Sequence, residues 1–255
     1  DRHVWPGMAV VSRPALIVLV TETSPGRNRM RRAAEAVWQT VHCERRRLAA
    51  DLSDLHDEQW RFPSLCPGWD VHDVLAHLVD TARTGRLAFV RDLLTARMDF
   101  DRANENGIAR EKRQDPRDTI NAFREAADLT RTPPANLATR LVEAIVHGED
   151  IRRPLGIAGS YPEPAVVQAL TYQLRTPVSF GGGRERVAGL RLIDRTTGAF
   201  WGQGDEVEAD PLDLLLAVSG RRVDRGSFKG SGASRFVAIS AMDEPRQRGE
   251  APEAI

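Results

Sequence analysis

Seven residues, Leu141-Val142-Glu143-Ala144-Ile145-Val146-His147, restrict what this chain can fold into more than any other stretch. Wound as a helix, the segment is apolar on every side but one. Glu143 and His147, four apart, lie one above the other on that side. Ionisable groups carried by so apolar a helix need partners, because burying them bare is costly. A metal ion is one solution. It needs a third ligand from elsewhere, and His77, within Val74-Leu75-Ala76-His77-Leu78-Val79, is another lone titratable group in an apolar helical run. Two histidines and a carboxylate form a catalytic zinc set with a fourth position open to water or substrate. Nickel, iron or manganese accept the same donors. The plainer alternative is a buried Glu143–His147 hydrogen-bonded pair, with His77 an unrelated core histidine. Asp150, three residues past His147, either orients that imidazole as an acceptor or is an ordinary helix-end residue.

The rest of the chain sets the frame for those residues. Its 255 residues suffice for one large domain or two smaller ones with real cores. A formal net charge of zero provides no overall field for nucleic acid or an anionic membrane. The longest apolar run, 15–20, is far short of a membrane span, and no signal-cleavage pattern follows it. Cys43 and Cys66 form no CxxC and no framework, so a reducing, cytoplasmic compartment is expected.

Residues 1–29, interrupted by Pro6, Pro14 and Pro25, are expected to be a disordered extension. Residues 30–176 read as an up-and-down helix bundle. Helical periods cover about 31–55 and then 71 to the mid-90s, the latter capped by Asp70 with Asp73 in its first turn. Residues 99–115 are polar and read as a loop. A helix follows Pro116. Thr132-Pro133-Pro134 opens the next, which carries Glu143 and His147 and ends near 148–150, and another follows Pro164. Residues 177–242 change character: strands are expected at 187–193 and 199–202 around an Arg195-Thr196-Thr197-Gly198 turn, with Val207 in a third. Asp210 and Pro211 fit the N-cap and first position of a helix over 212–218. Residues 243–255 are expected to be a disordered tail. The fold class is therefore α+β, a helix bundle followed by a small α+β domain. Cys66, in a Pro/Gly loop with no base nearby, reads as a structural or incidental thiol rather than a nucleophile. Arg152 and Arg153 either bind a carboxylate or are solvated charges, and Asp205 and Glu206 read as turn residues.

Two blocks resemble a known family. Leu65-Cys66-Pro67-Gly68-Trp69-Asp70-Val71, followed by Asp73-Val74-Leu75-Ala76-His77-Leu78, is similar to the metal-binding domain of mycothiol-dependent maleylpyruvate isomerases, within the wider DinB-like helix-bundle superfamily. So is the run from Glu143 through His147-Gly148-Glu149-Asp150 to Pro154-Leu155-Gly156. The resemblance covers about residues 30–225. It places the family's metal triad on His77, Glu143 and His147, with zinc the typical ion. The metal's implied role is to bind and activate the thiol of mycothiol, the cosubstrate. In the isomerase the thiolate adds to a cis double bond, permits rotation, and leaves to give the trans product. The implied partners are a small-molecule electrophile and a low-molecular-weight thiol. An arginine of the C-terminal domain is expected to bind substrate carboxylates, and Arg221 is assigned that role. Fold and metal site transfer better than the reaction, so thiol S-transfer to other electrophiles is included. The competing class is a non-catalytic metal-binding or ligand-sensing bundle, since no general acid or base stands out beyond the triad. The N-terminal extension and the polar segment after Gly220 depart from the family pattern.

Overall fold

The apolar periods of the first 176 residues condense into helices that close on one another. The structure, a computed structural model, describes residues 25–241. The helices are α1 (Pro25–Asp51), α2 (Val71–Arg83), α3 (Arg86–Thr95), α4 (Phe100–Glu111), α5 (Pro116–Ala126), α6 (Thr139–Arg152) and α7 (Glu163–Gln173). Helix α1 packs on α5 and α6, and α2 packs on the same two, so these four form a closed ring with α4 laid across α2. Leu48, Leu52, Leu75, Val79, Ile120, Phe123 and Ile151 fill one core within the ring. Among the described residues no helix is long and apolar enough to cross a membrane.

The start of α2 follows from local chemistry. The Asp70 side chain accepts the Asp73 N–H at 2.6 Å, and the Asp73 side chain accepts the Asp70 N–H at 3.1 Å, a reciprocal capping box. Lys112, just past α4, donates to both carboxylates and so ties α4 to this end of α2. Asp70→Ala is expected to lower stability by about 1 kcal/mol through loss of the cap. The shift in urea midpoint, at unchanged slope, measures it.

Several boundaries differ from the sequence expectation. Helix α1 begins at Pro25, inside the expected extension. The remainder of that extension and the expected tail at 243–255 lie outside the described residues. The single helix expected from 71 to the mid-90s is two helices, divided where Thr84 and Gly85 take extended conformations. The expected loop at 99–115 contains α4. Its apolar signal is weak because Gly107 makes the close approach to α2, where an added Cβ would lie 2.4 Å from the Asp80 carboxylate. Helix α6 begins at Thr139 rather than beside Pro133-Pro134, after an Asn136 side chain that accepts the Ala138 N–H, and it runs on to Arg152.

The C-terminal part carries a three-stranded sheet, β1 (Leu190–Asp194), β2 (Phe200–Gly202) and β3 (Asp205–Ala209), in the order β2-β1-β3. The β1–β2 pair is antiparallel and the β1–β3 pair parallel, with Leu192 opposite both Trp201 and Val207. Asp205 and Glu206 begin β3 instead of forming a turn. The chain passes from one side of β1 to the other at Gly204, whose φ is +124° and where an added Cβ would lie 2.1 Å from the Gly189 carbonyl oxygen, so a side chain is excluded. Helix α8 (Pro211–Val218) begins with Pro211 in its first turn as expected, but the Asp210 side chain makes no capping hydrogen bond. A further helix, α9 (Ala233–Ala241), was not anticipated. A second core of Val41, Ile145, Leu170, Leu190, Leu192, Val207 and Leu214 runs from α1 and α6 through α7 into the sheet and α8. The C-terminal unit therefore sits on the bundle by shared apolar packing, beside the helix that bears Glu143 and His147. The architecture is the α+β class expected.

Candidate metal centre

Helices α2 and α6 face each other across the bundle, and their contact brings His77 to Glu143 and His147. One ligand atom from each lies within 4.8 Å of the others. His77 Nε2 is 3.4 Å and His147 Nε2 3.7 Å from Glu143 Oε2. The two imidazole rings meet edge to face with centroids 4.8 Å apart. Glu143 Oε2 and His77 Nδ1 are buried without a hydrogen-bond partner. Burial would raise the Glu143 carboxyl, but contact with His77 and the charges of His77, His147 and Arg140 outweigh it and hold the group well below the usual carboxylate range. An ionised carboxylate oxygen with no donor, aimed between two imidazole nitrogens, fits a divalent cation. The donor set of two nitrogens and one oxygen is that of an open zinc site. Of the two arrangements the sequence allowed, the hydrogen-bonded Glu143–His147 pair is absent, and His77 is part of the cluster.

The surrounding residues orient these donors. Asp150 Oδ2 is 2.8 Å from His147 Nδ1, and Asp150 is fully buried. Of the two roles open to Asp150, it is the acceptor that orients the ring. Burial would raise its carboxyl, but Arg221 and His147 together hold it down at about 2. Arg221, just past α8, donates from Nε to Asp150 Oδ1 at 3.0 Å and from Nη2 to Oδ2 at 2.8 Å, while Nη1 donates to the Ser219 carbonyl at 2.7 Å. On the other side Arg140, one turn before Glu143, donates to the Thr81 carbonyl and places Nη2 3.9 Å from Glu143 Oε1.

The Pro/Gly loop before α2 covers the cluster. Trp69 donates its N–H to the Cys66 carbonyl across Pro67-Gly68, and Gly68 has φ +82°. Proline followed by a glycine of positive φ is the arrangement of a type II turn. The Ser64 hydroxyl accepts the Cys66 N–H, and Leu65 N–H reaches the Asp150 carbonyl, so the loop is pinned to α6. The Trp69 ring lies 5.0 Å from that of His77 and 6.4 Å from that of His147. Trp69 was visible in the sequence only as a letter of the motif; its tilted contact with the two imidazoles depends on the turn.

The turn also leaves Cys66 half-buried. Burial pushes its thiol up to about 12, with Arg221 opposing and Asp150, Glu143 and Asp101 adding to the rise. It is therefore protonated at neutral pH and a poor nucleophile, in keeping with a structural thiol. Alkylation of the native protein at pH 8 is expected to label exposed Cys43 and spare Cys66 until the chain is denatured, as peptide mass spectrometry would show.

Of the two roles open to Arg152 and Arg153, both arginines bind carboxylates, and these belong to the protein itself. Arg152 is buried and donates to Asp51 and the Tyr161 hydroxyl oxygen, while Arg153 pairs with Glu149 and Asp213.

Comparison with known proteins follows this geometry. Residues 41–136 match the family model described as the mycothiol maleylpyruvate isomerase N-terminal domain. That span includes Trp69 and His77 but ends before Glu143 and His147, so the two α6 ligands stand on the geometry above. Two solved structures are similar to this chain, the mycothiol-dependent maleylpyruvate isomerase and a histidine-to-alanine mutant of it. Each matches with a TM-score of 0.57 at 16% identity over 78% of this chain and 93% of its own. At that identity the likeness is one of fold. No curated protein matches the chain.

Proposed function

We propose that this chain, whose residues 41–136 match the model of the mycothiol maleylpyruvate isomerase N-terminal domain family, is a metal-dependent, thiol-using enzyme. The observation that carries the reading is the cluster of buried His77 with half-buried Glu143 and His147, in which the Glu143 Oε2 atom is itself buried and lacks any hydrogen-bond donor. His77 Nε2, Glu143 Oε2 and His147 Nε2 would hold the cation, zinc being the best match to the donors. When bound, the cation supplies Lewis acidity that lowers the pKa of a coordinated thiol. The protein's own contribution is positional. Asp150 keeps the proton of His147 on Nδ1, leaving Nε2 for the centre. Arg140 stands beside the second Glu143 oxygen, and the Trp69 ring lies against the imidazoles on the loop side.

The finer reading is that the thiol is mycothiol and that its thiolate attacks an electrophilic carbon of a small molecule. For a cis alkene, addition, rotation and departure of the same thiolate give the trans isomer. For a substrate with a leaving group, the sulfur stays and the leaving group departs, which is S-transfer. A cytosol rich in reduced thiol suits both and suits the free cysteines. Arg221 could still offer remaining N–H donors to a substrate carboxylate, but its strongest contacts are already with Asp150, and this favours a second, non-catalytic metal-binding or ligand-sensing reading. Titrating zinc-loaded protein with mycothiol and then adding maleylpyruvate and a panel of electrophiles separates the two. Thiol binding with thiol-dependent loss of an electrophile supports the enzyme. Stoichiometric zinc with no affinity for mycothiol and no turnover removes it.

A further inference from the structure

Arg221 reaches the metal-binding helix from the other unit of the fold, and its backbone is fixed before its side chain acts. At the end of α8 the Gly220 N–H bonds the Ala217 carbonyl, the Arg221 N–H bonds the Leu216 carbonyl, and Gly220 has φ +79°. This is a Schellman ending. The helix it closes is buried through Leu214, Leu215, Leu216 and Val218. From that anchor the guanidinium meets Asp150 through two nitrogens, Nε at 3.0 Å and Nη2 at 2.8 Å. The fork geometry fixes the plane of the carboxylate as well as its charge. Asp150 Oδ2 is the same oxygen that faces His147 Nδ1 at 2.8 Å. A carboxylate flanked by an arginine only accepts, so His147 Nδ1 carries the hydrogen, and in the neutral imidazole that a metal ligand requires it is Nε2 that presents its lone pair toward Glu143 and His77.

We propose that Arg221 is a positioning residue of the metal centre, acting through Asp150 on His147, so that the bundle's affinity for its cation depends on the docked C-terminal unit. This rests on the reading that His77, Glu143 and His147 hold a divalent metal. It gives Arg221 a task distinct from contact with a substrate carboxylate. It also makes the coupling reciprocal: whatever loosens the C-terminal unit weakens the metal, and the metal stabilises the docked arrangement by the same factor.

Zinc affinity, measured on the full chain by competition with a chromogenic chelator, tests this without any assay of activity. Arg221→Gln is expected to weaken zinc about 10- to 100-fold, the usual cost of losing a partner that orients a ligand. Arg221→Lys, which keeps the charge without the fork, should fall between it and the unmodified protein. Asp150→Asn combined with Arg221→Gln should bind zinc no more weakly than Asp150→Asn alone. Arg153→Gln is the control, because Arg153 donates to Asp213 and so crosses the same contact between α6 and α8 without touching Asp150. Its zinc affinity should stay within about twofold of the unmodified protein, well inside the 10- to 100-fold expected for Arg221→Gln. An unchanged affinity in Arg221→Gln, or an equal loss in Arg153→Gln, overturns the proposal. If Arg221→Gln does not fold, Arg221→Lys decides, and affinity equal to the unmodified protein overturns it. Failure of the unmodified protein to bind zinc would instead strike the metal reading itself.

Discussion

Purified without added metal, the His147→Ala variant is expected to contain no stoichiometric divalent cation, where the unmodified protein contains about one per chain. The three donor atoms lie within 4.8 Å of one another on two helices that pack directly. Removing His147 Nε2 leaves His77 and Glu143, too few donors for a tight site. The loss should exceed the roughly 10- to 100-fold that follows from removing a supporting partner. His77→Ala should behave alike from the opposite helix. Stability gives an independent readout. A ligand present at 1,000 times its dissociation constant stabilises the folded state by about 4 kcal/mol, so a strong chelator should lower the melting temperature of the unmodified protein and leave that of His147→Ala unmoved. Elemental analysis and paired melting curves check both. No metal in the unmodified protein, even after zinc is offered, would mean that three ionisable groups simply share a pocket.

That cluster was legible in the sequence because it breaks a pattern. An ionisable residue on an otherwise apolar helical period has few reasons to be there, and His77, Glu143 and His147 each interrupt such a period. Asp150 was half legible: its spacing from His147 permitted the contact at 2.8 Å without requiring it. What the local pattern cannot encode is pairing over long separations. Arg221 meets Asp150 across 71 positions and Arg152 meets Asp51 across 101. Only the packed ring of α1, α2, α5 and α6, with α7 on α6 and α8 on α7, brings them together. Helix α4 was missed for a related reason. It is held by the approach of Gly107 to Asp80, by buried Ile108 and Glu111, and by ion pairs such as Arg83–Glu111, none of which produces an apolar stripe. The division of α2 from α3 was missed because Leu87, Val90 and Leu94 keep the helical period going, although they are exposed. Periodicity alone cannot tell a buried stripe from an exposed one.

Arg152→Ala is expected to destabilise the protein by about 3–5 kcal/mol, the usual result of removing one partner from a buried ion pair. The Arg152 side chain is 2% exposed. It donates to Asp51 Oδ2 at 2.7 Å and to the Tyr161 hydroxyl oxygen at 2.7 Å, and lies 3.8 Å from Glu44 Oε2. Tyr161 in turn donates to Glu149, and Arg153 carries the network on to Asp213 of α8. Without Arg152, Glu44 is left beside Arg47 alone, in a place where burial already raises its carboxyl and Arg152 is the foremost group opposing that rise. The loss is large against the roughly 5–15 kcal/mol that holds a typical domain folded. Its pH dependence has a definite sign. A carboxyl whose pKa is raised on folding favours the folded state below its unfolded pKa, and that contribution is lost as pH rises through the folded value. Arg152→Ala raises Glu44 further, so the deficit at pH 7 should shrink as pH falls toward 5. Adding Glu44→Gln should recover part of the loss at pH 7 and remove much of that pH dependence. Urea titrations of the unmodified, single and double variants at both pH values measure each term. A cost below about 1 kcal/mol, the range of exposed pairs, would mean that water reaches these groups and that α1 and α6 are held together by their apolar faces alone.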